Sequence, residues 1–198
     1  MNANPCKVVV LISGNGSNLQ ALIDASKQAQ FKVTAVISNK ADAFGLQRAQ
    51  AAAIPNQVID HTQFDSRESF DSALLEAIEK YQPQLVVLAG FMRILSEQFV
   101  CHFSGRLINI HPSLLPKYPG MNTHQRALDG GDAIHGASVH FVTEELDGGP
   151  VIAHTIVPIR PGDDAQTLRS RVANEEHSLY PAVVHLIASG RVVLKKGQ

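Results

Sequence analysis

Two stretches of the chain are apolar at every position, and they constrain the fold more than any other feature. Residues 8–12 read Val-Val-Val-Leu-Ile, and residues 85–88 read Leu-Val-Val-Leu. Side chains of a strand alternate between its two faces, so a strand without polar positions is covered on both sides. Such strands are typical of a parallel sheet with helices on both faces. The sequence therefore predicts an α/β fold.

The remaining segments alternate between β character and helical periodicity. We predict strands at residues 8–13, 33–38, 57–59, 85–89, 107–110, 137–143 and 151–158. We predict helices at 18–26, 44–53, 67–81 and about 165–186, the last capped by Asp163 or Asp164. Pro181 lies inside the last helix and predicts a kink or a break near Leu179.

The pattern changes from about residue 137, where two strands alternate more and only residues 144–150 separate them. Two such strands predict antiparallel pairing at the edge of a mixed sheet. The chain has no evident linker or repeat. We therefore expect one domain over residues 1–198, a Rossmann-like, mostly parallel twisted sheet with helices on both faces and antiparallel strands toward the C-terminal part.

The composition is ordinary for a soluble globular protein. The chain has 198 residues, 44% of them hydrophobic, and a net charge of −1, which argues against non-specific binding of nucleic acid. No apolar run is long enough to span a membrane, and the first seven residues are too short and polar for a signal peptide. Cys6 and Cys101 indicate reduced thiols, so we expect a cytoplasmic protein.

The run Leu107-Ile108-Asn109-Ile110-His111-Pro112 ends an apolar strand with an amide and an imidazole two residues apart. Alternation in a strand puts Asn109 and His111 on the same side. Acyl transfer needs one group for the oxyanion and another for the proton, and this pair can supply both. Taken alone, the pair can equally be a strand-end asparagine beside a hydrogen-bonded histidine.

The segment 13–19, Ser-Gly-Asn-Gly-Ser-Asn-Leu, joins the first strand to the first helix. Its glycines and the helix N-terminus favour a small phosphate site. It fails the dinucleotide fingerprint, because Leu19 stands at the sixth position and Asn39-Lys40 ends the second strand where an acid is expected. The alternative is a plain glycine turn with Ser17 or Asn18 as N-cap.

The loop 143–150, Thr-Glu-Glu-Leu-Asp-Gly-Gly-Pro, is longer than a hairpin requires. Asp147 can be a simple turn aspartate, or it can reach the end of the fifth strand and hold His111 in its charged form. The apolar bend at 88–95 is either ordinary core packing around a glycine turn or the wall of a pocket for a flat heteroaromatic ligand. The histidine spacing predicts no metal site.

Taken together, the segments 13–19, 89–95, 109–116 and 146–150 resemble the folate-dependent phosphoribosylglycinamide formyltransferases, in order and with matching gaps. The run Asn-x-His-Pro-Ser-Leu-Leu-Pro marks the wider formyltransferase superfamily. No C-terminal domain for tRNA and no preceding regulatory domain are expected, which separates this chain from related transferases and deformylases. The C-terminus is somewhat short for the family, and we expect this to affect packing rather than chemistry.

The resemblance implies transfer of the formyl group from 10-formyltetrahydrofolate to the amine of 5-phosphoribosylglycinamide (glycinamide ribonucleotide), directly and through a tetrahedral intermediate. It implies three catalytic residues, namely Asn109 for the oxyanion, His111 for the oxyanion and the proton, and Asp147 to hold His111 charged. It implies the folate as co-substrate and no metal. A hydrolase that uses the same residues and water is the nearest alternative.

The resemblance also assigns residues to the two substrates. Those implied for the phosphoribosyl substrate are Gly16, Ser17, Asn18, Leu19, Gln20 and Glu176. Glu175 competes with Glu176 for contact with a ribose hydroxyl. Those implied for the folate are Arg67, Met92, Arg93, Ile94, Leu95, Asn109, Thr143, Glu144, Glu145, Leu146 and Asp147. We expect a monomer or a weak homodimer.

Overall fold

One mixed sheet of seven strands organises the protein, as seen in a computed structural model that describes residues 4–194. The strands are β1 (Cys6–Ile12), β2 (Phe31–Ser38), β3 (Asn56–Val58), β4 (Leu85–Leu88), β5 (Leu107–His111), β6 (Ile134–Phe141) and β7 (Val151–Pro158). Their order is β3-β2-β1-β4-β5-β6-β7. Pairing is parallel from β3 to β5 and antiparallel for β5–β6 and β6–β7. The predicted α/β architecture is confirmed; residues 1–3 and 195–198 of the predicted domain lie outside the described residues.

The helices are α1 (Ser17–Ser26), α2 (Phe44–Ala51), α3 (Arg67–Glu79), α4 (Glu97–His102), α5 (Thr123–Asp129) and α6 (Ala165–Ala188), with a 3₁₀ turn at His61–Gln63. The first three agree with the predicted helices to within two residues at each end. The short helices α4 and α5 are not among the predicted helices, because segments of six and seven residues show little periodicity. Within residues 4–194, no helix is long and apolar enough to cross a membrane.

Helices cover both faces of the sheet, as the two continuous apolar runs predict. Val8, Val10 and Ile12 of β1 belong to one hydrophobic cluster, whose helical members come chiefly from α1 and α6. Val9 and Leu11, which point the opposite way, belong to a second cluster with residues of α3 and α4. Because both faces of β1 are packed, polar side chains have no place in its centre.

The helix α6 runs without interruption from Ala165 to Ala188, so a break near Leu179 is wrong. Asp164 is its N-cap, and the Asp164 side chain accepts a hydrogen bond from Thr167 N at 2.7 Å. Pro181 removes one helical donor, but the residues around it are anchored by burial against the sheet. Tertiary packing therefore overrides the local preference of proline.

Tyr180 fastens α6 to the middle of the sheet. Its ring is fully buried, and its hydroxyl lies 2.9 Å from Leu88 O at the end of β4 and 3.2 Å from Ile108 O within β5. Burial raises the pKa of this phenol, so it stays a donor at neutral pH. Glu176 lies one turn earlier on the same helix and is therefore held at this edge of the sheet.

Tyr180→Phe is expected to lower the free energy of unfolding by about 1–3 kcal/mol, because two buried carbonyls lose their donor while the ring packing remains. Urea denaturation measures the change. Tyr81→Phe is the control, since the Tyr81 ring is only partly buried. Equal effects of the two substitutions would show that the Tyr180 hydroxyl is not an anchor.

Candidate active site

Four polar side chains converge beyond the carboxyl end of β5. Asn109 lies opposite His140 in the β5–β6 pairing, and the Asn109 Nδ2 to His140 Nε2 distance is 3.3 Å. The carboxylate of Asp147 lies 3.4 Å from His111 Nδ1 through Oδ2 and 3.7 Å from His140 Nε2 through Oδ1. The predicted residues Asn109, His111 and Asp147 thus form one cluster, to which His140 is added.

Both ring nitrogens of His111 face oxygen acceptors. Nε2 lies 2.9 Å from the carbonyl oxygen of Tyr118, and Nδ1 faces Asp147 Oδ2. A neutral imidazole carries one N–H, so both contacts become hydrogen bonds only when the ring is protonated. The His111 side chain is 8% exposed. The Tyr118 carbonyl and the Asp147 carboxylate therefore fix the orientation of the ring.

Asp147 is both a turn residue and the partner of His111. Its backbone has a φ of +53°, in the left-handed region that aspartate tolerates better than most residues. Its Oδ2 accepts a hydrogen bond from Gly120 N at 2.8 Å, and its side chain is 8% exposed. Gly149 lets the loop turn close to β6, since a Cβ there would lie 1.9 Å from Phe141 O. The loop does fold toward β5.

His140 lies on the predicted strand 137–143, but the sequence alone does not indicate that it belongs to this cluster. Burial lowers the pKa of His140, while the Phe141 carbonyl and Asp147 oppose this effect. The antiparallel pairing of β5 and β6 could have revealed His140, because the residue opposite Asn109 lies beside the Asn109 amide. Tyr118 and Gly120 contact His111 and Asp147 through backbone atoms, which every residue type has, so the sequence does not predict these contacts.

The glycine loop lies at the carboxyl end of β1, between β1 and the start of α1. Gly16 is the N-cap of α1, with a φ of +74° and no side-chain capping bond. Ser17 and Asn18 are helical residues, so the alternative in which one of them is the N-cap is wrong. The first amide groups of α1 have no helical acceptor and are available to an anion.

Arg48 of α2 braces this loop and adds positive charge to it. Its Nε donates to Asn15 O at 2.9 Å, and its Nη2 donates to Asn15 Oδ1 at 3.2 Å. Gly16 packs against Gly45, where a Cβ on Gly16 would lie 2.7 Å from the Gly45 Cα. The loop therefore has a fixed shape and a cation beside it, as a phosphate site requires.

The structure brings Glu176 to the glycine loop and directs Glu175 elsewhere. Asn18 Nδ2 donates to Glu176 Oε2 at 2.7 Å, whereas the Glu175 carboxylate lies 3.5 Å from the Thr155 hydroxyl on β7. Burial raises the pKa of Glu176, and the Asn18 bond opposes this shift. Leu19 is fully buried, so only its backbone faces the loop.

Gln20, the last residue implied for the phosphoribosyl substrate, has its side chain engaged on the helix surface. Its Nε2 donates to Asp24 Oδ2 at 3.2 Å, and its Oε1 accepts from Arg48 Nη1 at 3.4 Å.

The segment after β4 combines one buried aromatic side chain with exposed apolar ones. Phe91 is buried in the core, whereas Met92 and Ile94 are 64% and 58% exposed. Ser13 connects this segment to the glycine loop, because Ser13 N donates to Gly90 O at 3.1 Å and Met92 N donates to Ser13 Oγ at 2.7 Å. Exposed apolar side chains at a sheet edge are typical of a binding surface.

The other residues implied for the folate are mostly exposed. Leu146 is 57% exposed, Glu144 and Glu145 are exposed, and Thr143 is partly buried. Arg93 is exposed and Leu95 partly buried. Arg67 is the exposed first residue of α3, one turn before Asp71, whose carboxylate accepts from Ser96 N. These contacts bring the start of α3 beside the segment 92–95.

Glu97, Cys101 and Glu144 are the one group of three possible metal ligands found within residues 4–194. All three are exposed, and Cys101 Sγ lies 3.6 Å from Glu144 Oε1. None of the three is a predicted catalytic residue, and the absence of a metal from the reaction stays a prediction.

Comparison with known proteins connects this geometry to one family. The model of the family described as formyl transferase matches residues 6–184. The phosphoribosylglycinamide formyltransferase of Escherichia coli (strain K12) is 58% identical over 187 residues, which are 93% of this chain and 88% of that protein.

Solved structures agree. The phosphoribosylglycinamide formyltransferase of Coxiella burnetii is 54% identical with a TM-score of 0.94, covering 98% of this chain and 92% of the other. Glycinamide ribonucleotide transformylase 1 of Symbiobacterium toebii is 41% identical with a TM-score of 0.95, covering 98% of this chain and 93% of the other.

Proposed function

This chain belongs to the formyl transferase family, and we propose that it is a phosphoribosylglycinamide formyltransferase of purine biosynthesis. It transfers the formyl group from 10-formyltetrahydrofolate to the amine of 5-phosphoribosylglycinamide. The products are formylglycinamide ribonucleotide and tetrahydrofolate. The observation that carries this proposal is the convergence of Asn109, His111 and Asp147 at one edge of the sheet, beside the glycine loop.

The amine attacks the formyl carbon, and the proposed transfer then passes through a tetrahedral intermediate with a negatively charged oxygen. The Asn109 amide and the charged His111 ring are suited to this oxygen, because hydrogen-bond donors held in place stabilise charge as it develops. The Asp147 carboxylate lies 3.4 Å from His111 Nδ1, where it would orient the ring. No covalent intermediate with the protein is needed.

Two protons move in this reaction, since the amine loses one and the departing folate nitrogen gains one. His111 Nε2 points at the Tyr118 carbonyl in this structure, so the folate nitrogen has to replace that carbonyl before it receives the proton. Asp147 is the nearest carboxylate to the cluster and can take the proton of the amine, directly or through water.

The phosphoribosyl substrate is proposed to bind along the start of α1. The uncapped amides after Gly16 and the side chain of Ser17 would hold the phosphate, with Arg48 adding charge nearby. Glu176 would accept a hydrogen bond from a ribose hydroxyl, since its buried carboxylate is anchored by Asn18. Leu19 would contribute its backbone N–H. The N–H of Gln20 is bonded to Gly16 O, so Gln20 would contribute its side chain, which lies beside Arg48.

The folate is proposed to lie against the segment after β4 and the loop before β7. Its flat heteroaromatic ring matches the exposed apolar side chains of Met92, Ile94 and Leu146. Thr143, Glu144 and Glu145 offer polar groups to the ring edge, and Arg67 offers a cation to the carboxylates of the tail. We further propose a cytoplasmic enzyme that is a monomer or a weak homodimer.

A dual-substrate assay tests the proposed function. Release of tetrahydrofolate from 10-formyltetrahydrofolate is expected only when glycinamide ribonucleotide is present, in equal amounts with the formylated product. Absorbance reports the folate, and mass spectrometry reports the product. Folate release without the ribonucleotide would identify a hydrolase that uses water as acceptor.

His111→Ala is expected to lower kcat by about 10²–10⁴-fold, the range for loss of a general acid. Folate affinity is expected to change little, because the proposed folate wall is built mainly from other segments. Steady-state kinetics and a fluorescence titration of the folate measure the two quantities. His102→Ala on α4 is the control, and near-normal turnover of His111→Ala would disprove the mechanism.

Ser17→Ala is expected to raise KM for glycinamide ribonucleotide roughly 2- to 12-fold, the equivalent of one hydrogen bond of about 0.5–1.5 kcal/mol. The KM for the folate is expected to stay unchanged. Ser26→Ala, at the other end of α1, controls for serine loss in the same helix. Equal increases in both KM values would mean that Ser17 has only a structural role.

A further inference from the structure

We infer that His140 is a positioning residue, whose Nε2 accepts one N–H of the Asn109 side chain and thereby fixes which face of that amide meets the substrate. The inference rests on the proposed function, since it concerns the donor to the oxyanion. His140 does not itself reach the reacting atoms in this account. It acts through Asn109, to which it is joined at 3.3 Å across the β5–β6 pair.

The tautomer of His140 is fixed by a backbone carbonyl. Its Nδ1 lies 2.9 Å from the carbonyl oxygen of Phe141, which can only accept a hydrogen bond. Nδ1 therefore carries the proton. In the neutral ring Nε2 then has a lone pair, and the Asn109 Nδ2 group facing it is the donor.

The charge of the His140 ring decides whether its Nε2 can accept a hydrogen bond. His140 is 2% exposed, and burial lowers its pKa. The titratable groups facing it are Asp147 on the β6–β7 loop, 3.7 Å away, which opposes this effect, and His111 on β5, whose charge adds to it. A neutral ring keeps its lone pair; a protonated ring would turn Nε2 into a donor toward Asp147 and release Asn109.

The orientation of the Asn109 amide decides which of its groups meets the substrate. This amide has an NH₂ group that donates hydrogen bonds and an oxygen that accepts them. A rotation of half a turn exchanges their positions. With one N–H held by His140, the second N–H remains for the substrate oxygen. The opposite orientation would point an amide oxygen at a developing oxyanion, which is repulsive. His140 therefore favours the orientation in which the second N–H of Asn109, and not its amide oxygen, faces the substrate oxygen.

The first test is a nitrogen NMR measurement of the histidine rings in the whole protein at neutral pH. The Nδ1–H tautomer is expected for His140. Its ring signals are assigned as those that disappear in the spectrum of His140→Gln. The Nε2–H tautomer would overturn the inference, because that nitrogen could then not accept from Asn109. This readout does not depend on activity.

The second test combines substitutions at the two positions. His140→Leu is expected to lower kcat about 10- to 100-fold, as for a misplaced catalytic group, with both KM values little changed. His140→Gln is expected to retain more turnover, because its amide oxygen can still accept a hydrogen bond. In an Asn109→Ala background, His140→Leu should cause almost no further loss.

The comparison between backgrounds separates positioning from general damage. An equal loss with and without Asn109 would overturn the inference, and so would a rise in KM with kcat unchanged. His185→Leu, on α6 beside Gln30 at the opposite edge of the sheet, controls for replacing a histidine by leucine. If His140→Leu fails to fold, His140→Gln and the tautomer still decide.

A wild-type protein that does not transfer formyl would overturn both proposals together. Wild-type transfer combined with the Nε2–H tautomer would overturn only the role of His140. The two failures are therefore distinguishable.

Discussion

The pairing register between β5 and β6 decides where the functional groups lie. It sets Asn109 opposite His140 and His111 opposite Ser138, and it delivers the following loop to the end of β5. Because side chains of a strand alternate in direction, a shift of one residue would turn His140 away from Asn109. The reversal from parallel to antiparallel pairing at this point is thus as important to the site as any catalytic residue.

The two proposed substrate regions meet where the strand order changes direction. The neighbours β1 and β4 continue into connections that leave on opposite sides, which opens a crevice beyond their carboxyl ends. Ser13 spans this crevice through its bonds to Gly90 and Met92. The Ser13 hydroxyl also lies 2.5 Å from Asn39 Oδ1 at the end of β2, so three strand ends are tied by one small side chain.

Much of this arrangement follows from residue types alone. The run from Val8 to Ile12 predicts a strand buried on both faces, and its members do divide between two hydrophobic clusters. The motifs offer Asn109, His111 and Asp147 as candidates, and the family resemblance implies that the three act together. What the sequence hides are long-range effects. Pro181 stays helical because its surroundings are packed, and His140 reads as an ordinary strand residue until its partner strand is known.

The left-handed backbone at Asp147 separates what the fold prefers from what the site needs. Glycine would relieve the conformational strain at this position, yet it would remove the carboxylate beside His111. Selection for thermal stability alone would therefore favour glycine here. Under the role proposed for Asp147, an engineered protein with glycine at this position would be more resistant to heat, well folded and inactive.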